Sequence, residues 1–207
     1  MYNGDDNKVQ KVIIGILGTI IIIFAFLFVK PHLFDPKLPP GMLAPNPPVQ
    51  TKENLAMPIT RDKYTYIPLA NFSITGKILA KKRYFWGKES KISPVDFAMG
   101  WGAMSDRRVV KAIKISQHGR WYYWKTKTFP IPRREIEMSS ANMHIIPASK
   151  IIRKKVLQAD EGDIVKFTGY LVRVVAPNWS WQSSLSRKDT GNHACEVVYV
   201  KTFEVLY

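Results

Sequence analysis

The most prominent pattern along the chain is an unbroken run of apolar residues near its N-terminus. From Val12 to Val29 the sequence reads VIIGILGTIIIIFAFLFV and carries no charge. A helix of that length spans about 27 Å, close to the roughly 30 Å of bilayer hydrocarbon. The run exceeds the apolar core of a signal peptide, and no small-x-small cleavage pattern follows it. It predicts an uncleaved transmembrane helix at residues 12–29, preceded by a tail at residues 1–11.

Proline dominates the next segment of the chain. Residues 31–58 contain eight prolines, and proline at this density prevents a helix and favours extended, semi-rigid chain. We therefore expect a linker over residues 30–60 that holds the following domain away from the bilayer. A strap packed along that domain is the alternative, because the segment also contains apolar residues. The folded domain is expected at residues 61–207.

Alternating apolar and polar positions after residue 61 predict mainly β-structure. Gly169 interrupts one of the expected strands, and a glycine in mid-strand favours a bulge or a sharp coil, by which small barrels close. A polar turn at residues 189–192 is expected to join the last two strands. The strands are expected at residues 64–69, 72–79, 120–128, 164–175, 179–186 and 194–206.

Helix signals are fewer. Ser93, placed directly before a proline, has the pattern of a helix N-cap, and Ser105 is expected to cap a second short helix. Apolar residues spaced four apart predict a third helix over residues 149–157. The expected fold class is α+β. It combines the transmembrane helix with a soluble domain that has a strongly curved antiparallel sheet, or a small OB-like or SH3-like barrel, and a few short helices.

The chain is strongly basic, with a formal net charge of +15. Residues 61–207 hold 26 Lys and Arg against 12 Asp and Glu, so most of this charge belongs to the expected domain. Such a charge attracts anionic lipid headgroups, nucleic acid or an acidic protein, although a solvated surface also accounts for it. The single cysteine excludes an intramolecular disulfide. The four histidines lack metal-ligand spacing, so no metal and no cofactor is expected.

Candidate catalytic residues occur in two stretches. The first extends from Trp181 to Val200 and offers Ser184, Asp189 and Cys195, with His144 as a base from elsewhere in the chain. Asp189, however, falls at the expected turn, where Asp is favoured for its local backbone hydrogen bonds, so we interpret this stretch as strand, turn and strand. The second candidate is Ser140, in a pattern partly similar to signal peptidases, but its nearest candidate lysine base, Lys166, does not stand on an apolar strand.

Basic and aromatic residues interleave in one expected strand. Alternation places Trp121 and Tyr123 on one face and Tyr122 and Trp124 on the other. With Arg120 and Lys125 beside it, one of these pairs could form an aromatic-basic surface. Rings beside cations form stacking platforms for nucleic-acid bases. The alternative is that one aromatic pair fills the core and the other packs under helices.

Several distinctive blocks occur in order along the second half of the chain. They are WGAMSD from Trp101, ISQ from Ile115, RWYYW from Arg120, NMHIIP from Asn142, GD from Gly162, GYLV from Gly169, SSLSR from Ser183, DTG from Asp189 and ACE from Ala194. This pattern resembles a widespread group of bacterial proteins with one N-terminal membrane helix and no established activity. The resemblance covers roughly residues 93–200 and implies bacterial origin and membrane attachment, without supplying a mechanism.

Polar and aromatic residues within these blocks are expected to converge on a buried network or a ligand site. They are Trp101, Ser105, Asp106, Asn142, His144, Arg187, Asp189 and Glu196. The expected function is a non-enzymatic accessory or scaffolding subunit of a bacterial envelope complex. Residues 12–29 would hold it in the inner membrane, its soluble domain would lie in the periplasm, and its partners would be proteins. The alternatives are a membrane-anchored serine hydrolase or peptidase, and a single-stranded nucleic-acid binding module.

Overall fold

The computed structural model describes residues 40–186 and 194–207, together with Lys11, Ile13, Ile14 and Gly18. No helix within these residues is long and apolar enough to cross a membrane. The transmembrane helix expected at residues 12–29 lies outside them, apart from three positions, and stays a prediction. Residues 40–186 and 194–207 belong to one compact unit, Pro39–Tyr207.

Strands dominate the described part of this unit, and the helices are short. The strands are β1 (Val49–Thr51), β2 (Ile59–Arg61), β3 (Tyr64–Arg83), β4 (Val95–Gly100), β5 (Lys114–His118), β6 (Trp121–Lys125), β7 (Ser140–Pro147), β8 (Ile164–Ala176), β9 (Trp179–Gln182) and β10 (Glu196–Val205). The α-helices are α1 (Arg107–Val110), α2 (Arg133–Met138) and α3 (Lys150–Gln158), and 3-10 turns occupy Glu89–Lys91 and Gly102–Ser105.

One curled sheet contains eight of the strands. Its long strand β3 pairs antiparallel with β8 along most of its length and with β4 at its C-terminal end. From β4 the pairing continues to β7, then to β10 in parallel, and from β10 antiparallel back to β8. The sheet therefore curls until five strands pair in a ring. The expected α+β class with a strongly curved sheet is confirmed.

Gly169 allows two strands to approach closely inside this ring. A Cβ at that position would collide with the carbonyl oxygen of Tyr199 on β10. Opposite Gly169 the register shifts between Val200 and Thr202, so Lys201 is an extra residue in β10. Such a bulge increases the local twist and bends the strand. The bulge expected in the strand of Gly169 thus lies opposite this glycine, in β10.

Apolar side chains fill the inside of the ring, and α3 packs against them. Phe167 stacks on Phe203 with ring centres 6.0 Å apart, and Ile152 and Val156 of α3 join the same core cluster. The Ser149 hydroxyl caps α3 by accepting from the Ile152 backbone N–H. The helix expected over residues 149–157 is thus confirmed, with a shift of one residue at each end.

Three expectations about local structure were wrong. Asp106 rather than Ser105 caps α1. The helix expected at Ser93 does not form, because the residues that follow are strand β4. All six β4 residues are buried, so both faces are covered and the usual alternation is absent. The strands expected at residues 179–186 and 194–206 both form in part, but β9 pairs with β8 and β10 pairs with β7 and β8. The turn at residues 189–192 lies outside the described residues.

The second half of the segment expected to be a linker packs on the folded unit. β1 and β2 both pair with β3. Ala44 is buried, its N–H donates to the Ser105 hydroxyl, and its carbonyl accepts from the Gly102 N–H. From Ala44 onward, the proline-rich segment therefore packs along the domain as a strap.

Candidate functional site

The long connection between β4 and β7, residues 101–139, covers the outer face of those two strands. It contains α1, the hairpin β5–β6 and α2. Ile136, Tyr122 and Trp124 of this insert join a cluster with Ala98 of β4. Because alternate strand residues point to opposite faces, the residues that lie between the core-facing ones point toward the insert.

Two of these outward residues, Asp96 of β4 and His144 of β7, stand directly opposite each other. The Asp96 side chain is completely buried and that of His144 is 4 % exposed. His144 Nδ1 lies 3.0 Å from Asp96 Oδ2, although neither atom has an aligned hydrogen bond among the described residues. A buried carboxylate of this kind requires a cation, since its desolvation is otherwise costly.

Arg120 supplies that cation from the tip of the hairpin. Its Nη1 donates to Asp96 Oδ1 at 2.8 Å and to the Ser93 hydroxyl at 3.2 Å, and its Nη2 donates to the Ser93 carbonyl oxygen at 3.0 Å. Gly119 and Arg120 form the two-residue turn, with φ of 57° and 70°, as a type I′ turn requires. The left-handed backbone conformation of Arg120 costs on the order of 1–3 kcal/mol of folding free energy. The ion pair with Asp96 offsets that cost.

Aromatic rings surround the ion pair. The Arg120 guanidinium carbon lies 3.9 Å from the Tyr84 ring centre and 5.7 Å from that of Trp181. The Trp181 ring in turn lies 4.6 Å from the His144 ring. Burial and the nearby Asp96 charge raise the pKa of Tyr84 to about 12. The ion pair therefore holds the hairpin on the sheet, and the surrounding rings reduce its contact with water.

Asn142 makes a second attachment between hairpin and sheet. Its Nδ2 donates to the Arg120 carbonyl oxygen at 3.1 Å, and its Oδ1 accepts from Gln117 Nε2 at 2.6 Å. Its amide also lies 3.8 Å from the Cys195 sulfur. Asn142 thus connects the ion-pair network to the start of β10.

A cavity of about 310 Å³ opens beside Asn142, between the hairpin, β7 and the start of β10. This volume falls in the range of small-ligand pockets. No Lys or Arg is among its described lining residues. Its walls combine five aromatic side chains with polar groups that include two carboxylates. They are Trp101, Trp121, Tyr122, Tyr123, Trp124, Glu137, Ser140, Ala141, Asn142, Ser186, Ala194, Cys195 and Glu196.

The two candidate serines do not meet a base among the described residues. The Ser140 hydroxyl donates to the Ile136 carbonyl oxygen and shares a 2.9 Å hydrogen bond with the Tyr122 hydroxyl. It is four residues from His144 along β7, or roughly 13 Å. The Ser184 hydroxyl accepts from the Ser186 N–H at 3.0 Å and donates to the Ser186 carbonyl oxygen. Lys166 is exposed on β8.

The other predicted site residues are dispersed. The Ser105 hydroxyl donates to the Gly102 carbonyl oxygen, in the turn that holds the strap. Asp106 caps α1, and its hydrogen bonds to Arg108 lower its pKa to about 2. Tyr123 is exposed and stacks on His118, and Lys125 is exposed at the end of the hairpin. The predicted residues Arg187 and Asp189 lie outside the described residues.

Sequence reasoning missed Asp96, the centre of the network. The helix expected after Ser93 would place it in the first helical turn, where acids are favoured. The available signal was a single charge within the apolar stretch VDFAMG, because a charge in a buried strand requires a partner. Among the described residues, no three His, Cys, Asp or Glu side chains are grouped as metal ligands.

Comparisons with protein-family models, curated proteins and solved structures found no match to this chain. The resemblance to a bacterial membrane-anchored group stays a prediction based on the sequence blocks. The site therefore has two parts. One is a largely buried ion pair that holds the hairpin on the sheet, and the other is an adjacent aromatic cavity with carboxylates in its wall.

Proposed function

We propose that this chain is a membrane-anchored, non-enzymatic accessory subunit of a bacterial envelope complex, and that a partner protein docks in the aromatic cavity. The apolar run at residues 12–29 anchors it in the inner membrane, and the folded unit lies in the periplasm. The anchor is supported by the length of the apolar run. The docking role is supported by the cavity.

The strand arrangement supports an OB-type barrel. The ring order β3-β4-β7-β10-β8, the parallel pair β7–β10 and the position of α3 between β7 and β8 are those of a five-stranded Greek-key barrel. Such barrels bind oligonucleotides and sugars on the face of their second and third strands. Here those strands are β4 and β7, and the insert covers their face. The coverage favours a docking subunit over a single-strand nucleic-acid binder.

The aromatic cavity carries the proposal. The faces of Trp and Tyr rings attract cations, and they are also the commonest anchors of protein interfaces. Carboxylates of Glu137 and Glu196 lie in the same wall. A basic side chain of a partner protein, Arg or Lys, therefore fits the cavity. Tyr123, which is 42 % exposed at its edge, would be the most accessible ring for that contact.

The test uses the full-length protein, tagged and recovered with its partners from membranes in mild detergent. Tyr123→Ala should reduce partner recovery by about tenfold or more, as expected for an aromatic hot spot. Tyr207→Ala is the matched control, because Tyr207 is also exposed but does not line the cavity. Equal recovery with the two variants would contradict the docking site.

A serine-directed fluorophosphonate probe tests the non-enzymatic part of the proposal. We expect no labelling that depends on a serine of this chain. Labelling that disappears in Ser140→Ala or Ser184→Ala would establish the hydrolase alternative instead.

A further inference from the structure

The loop between β3 and β4 presents two aromatic side chains to solvent. Trp86 is 88 % exposed and Phe85 is 69 % exposed. Neighbouring large apolar side chains at the tip of one loop are unfavourable in water, and such patches mark contact sites. We therefore expect this loop to contact another surface.

Internal hydrogen bonds give this loop a defined shape. The Tyr84 N–H donates to the Pro94 carbonyl oxygen at 2.9 Å and closes its base. Gly87 adopts a φ of 99°, and its carbonyl oxygen accepts from the Ser90 hydroxyl at 2.9 Å. The Ser93 N–H donates to the Glu89 carbonyl oxygen at 2.7 Å. The aromatic tip is thus held away from the core by its own backbone.

Cations flank the aromatic tip on both sides. Lys82 and Arg83 precede it, Lys88 and Lys91 follow it, and all four are exposed. The Arg83 guanidinium carbon lies 5.2 Å from the Phe85 ring centre. Tryptophan is enriched at membrane–water interfaces, where its ring lies in the headgroup region. Lys and Arg beside it bind anionic lipid headgroups.

A basic concavity of about 480 Å³ continues from the same loop, since Lys91 and Ile92 contribute to its wall. Its other cations are Arg61, Lys63, Lys150 and Arg153, and its one acidic lining residue among those described is Asp62. Arg61 is already oriented, because its Nη1 donates to the carbonyl oxygens of Pro147 and Ala148 at 3.1 and 3.2 Å. An excess of cations around a hollow attracts a phosphate group.

We propose that this end of the folded unit is a peripheral membrane-docking surface for anionic lipid. Phe85 and Trp86 enter the interfacial region, and the basic concavity receives the phosphate of a lipid headgroup. Free phosphate shares the charge chemistry of the headgroup, but it gives no role to the aromatic tip. The inference goes beyond the proposed function, because it concerns neither the anchor at residues 12–29 nor the aromatic cavity.

The experiment uses full-length protein reconstituted in phosphatidylcholine vesicles with or without phosphatidylglycerol. The chain has six tryptophans, and acyl chains brominated near the headgroup quench those that enter the interface. We expect such lipid to quench a component of the wild-type emission that Trp86→Ala lacks. That component should increase with phosphatidylglycerol. Equal quenching of wild type and Trp86→Ala would overturn the proposal.

Charge-reversal variants test the concavity. Lys91→Glu with Lys150→Glu should abolish the dependence on phosphatidylglycerol. Lys114→Glu with Lys125→Glu makes the same charge change on the exposed hairpin and should retain it. If the two double variants behave alike, the concavity has no specific role and the proposal fails.

Two further arms identify other ligands. Inorganic phosphate that binds at the concavity while Trp86 stays unquenched would assign a free-phosphate site instead of a membrane contact. A single-stranded oligonucleotide whose binding is lost in Lys91→Glu with Lys150→Glu, again without Trp86 quenching, would assign a nucleic-acid site. Either outcome overturns the lipid proposal. Partner recovery with Tyr123→Ala is measured separately, so the failure of one proposal is distinguishable from the failure of the other.

Discussion

Arg120 and Arg61 are both held against aromatic rings, yet their electrical surroundings differ. Arg120 donates to the buried carboxylate of Asp96 and lies over the Tyr84 ring. Arg61 lies 5.4 Å from the Tyr66 ring centre and donates to neutral oxygens, without a carboxylate contact among the described residues. The Asp96 carboxylate thus balances the Arg120 charge inside the protein, and this ion pair stabilises the fold. No described carboxylate contacts Arg61, so an anion from solution can reach its guanidinium at the open concavity.

The same substitution at both arginines should have the largest effect at Arg120. Arg120→Ala leaves Asp96 buried without its guanidinium, which costs about 3–5 kcal/mol of unfolding free energy. Arg61→Ala removes hydrogen bonds at a partly open site and should cost about 1–2 kcal/mol. Urea unfolding of the two variants, monitored by tryptophan fluorescence, measures the difference. Equal losses would show that Arg120 is not the partner on which Asp96 depends.

Sequence patterns predicted those parts of the fold that are determined by residues close together in the chain. The cap at Ser149 and the apolar spacing of α3 are features of neighbouring residues. The need for glycine at position 169 comes from the close approach of β10, although a glycine in mid-strand is itself visible in the sequence. Strand β4 was missed because tertiary packing buries both of its faces and removes the alternation that marks a strand. The β8–β9 hairpin is local, with Asn178 in its turn at a φ of 59°. The parallel pairing of β10 with β7, in contrast, is set by the ring, which no local pattern encodes.

The candidate site was predictable only in part. Asn142 and His144 were expected in a polar network. Asn142 contacts the hairpin, and His144 lies beside Asp96 and Trp181. Arg120 was expected on an aromatic-basic surface, but the I′ turn directs it to Asp96. The sequence shows neither the turn geometry nor the distance between residues 96 and 120. That distance is a consequence of how the insert folds back on β4.

Buried tyrosines should make the covered face sensitive to alkaline pH. Burial raises the pKa of Tyr122 to about 12 from an ordinary 10. The unfolded phenol therefore loses its proton first, so this contribution to stability is present below pH 10 and is lost between pH 10 and 12. Tyr122→Phe should show a smaller loss of unfolding free energy over that interval than wild type, measured by urea unfolding. Tyr123→Phe is the exposed control, and an equal effect of both would contradict the burial of Tyr122.

The helix cap at Asp106 should give a smaller effect in acid. Its hydrogen bonds to Arg108 lower its pKa to about 2 from 3.8, so its contribution is present above pH 4 and is lost as the pH falls toward 2. Asp106→Asn retains a capping side chain and should cost less than about 1 kcal/mol at neutral pH. The variant should also flatten the acid limb of the stability curve between pH 4 and 2. An unchanged acid limb would show that the Asp106 carboxylate does not contribute there.

The most direct test of the central claim is thiol labelling of Cys195, the one cysteine of the chain, which lies in the wall of the aromatic cavity. A partner docked there shields the sulfur, so iodoacetamide should label Cys195 slowly in native membranes and several-fold faster in the purified subunit. Tyr123→Ala should label fast in both preparations. Equal labelling of the wild-type protein in membranes and after purification would contradict docking at this cavity.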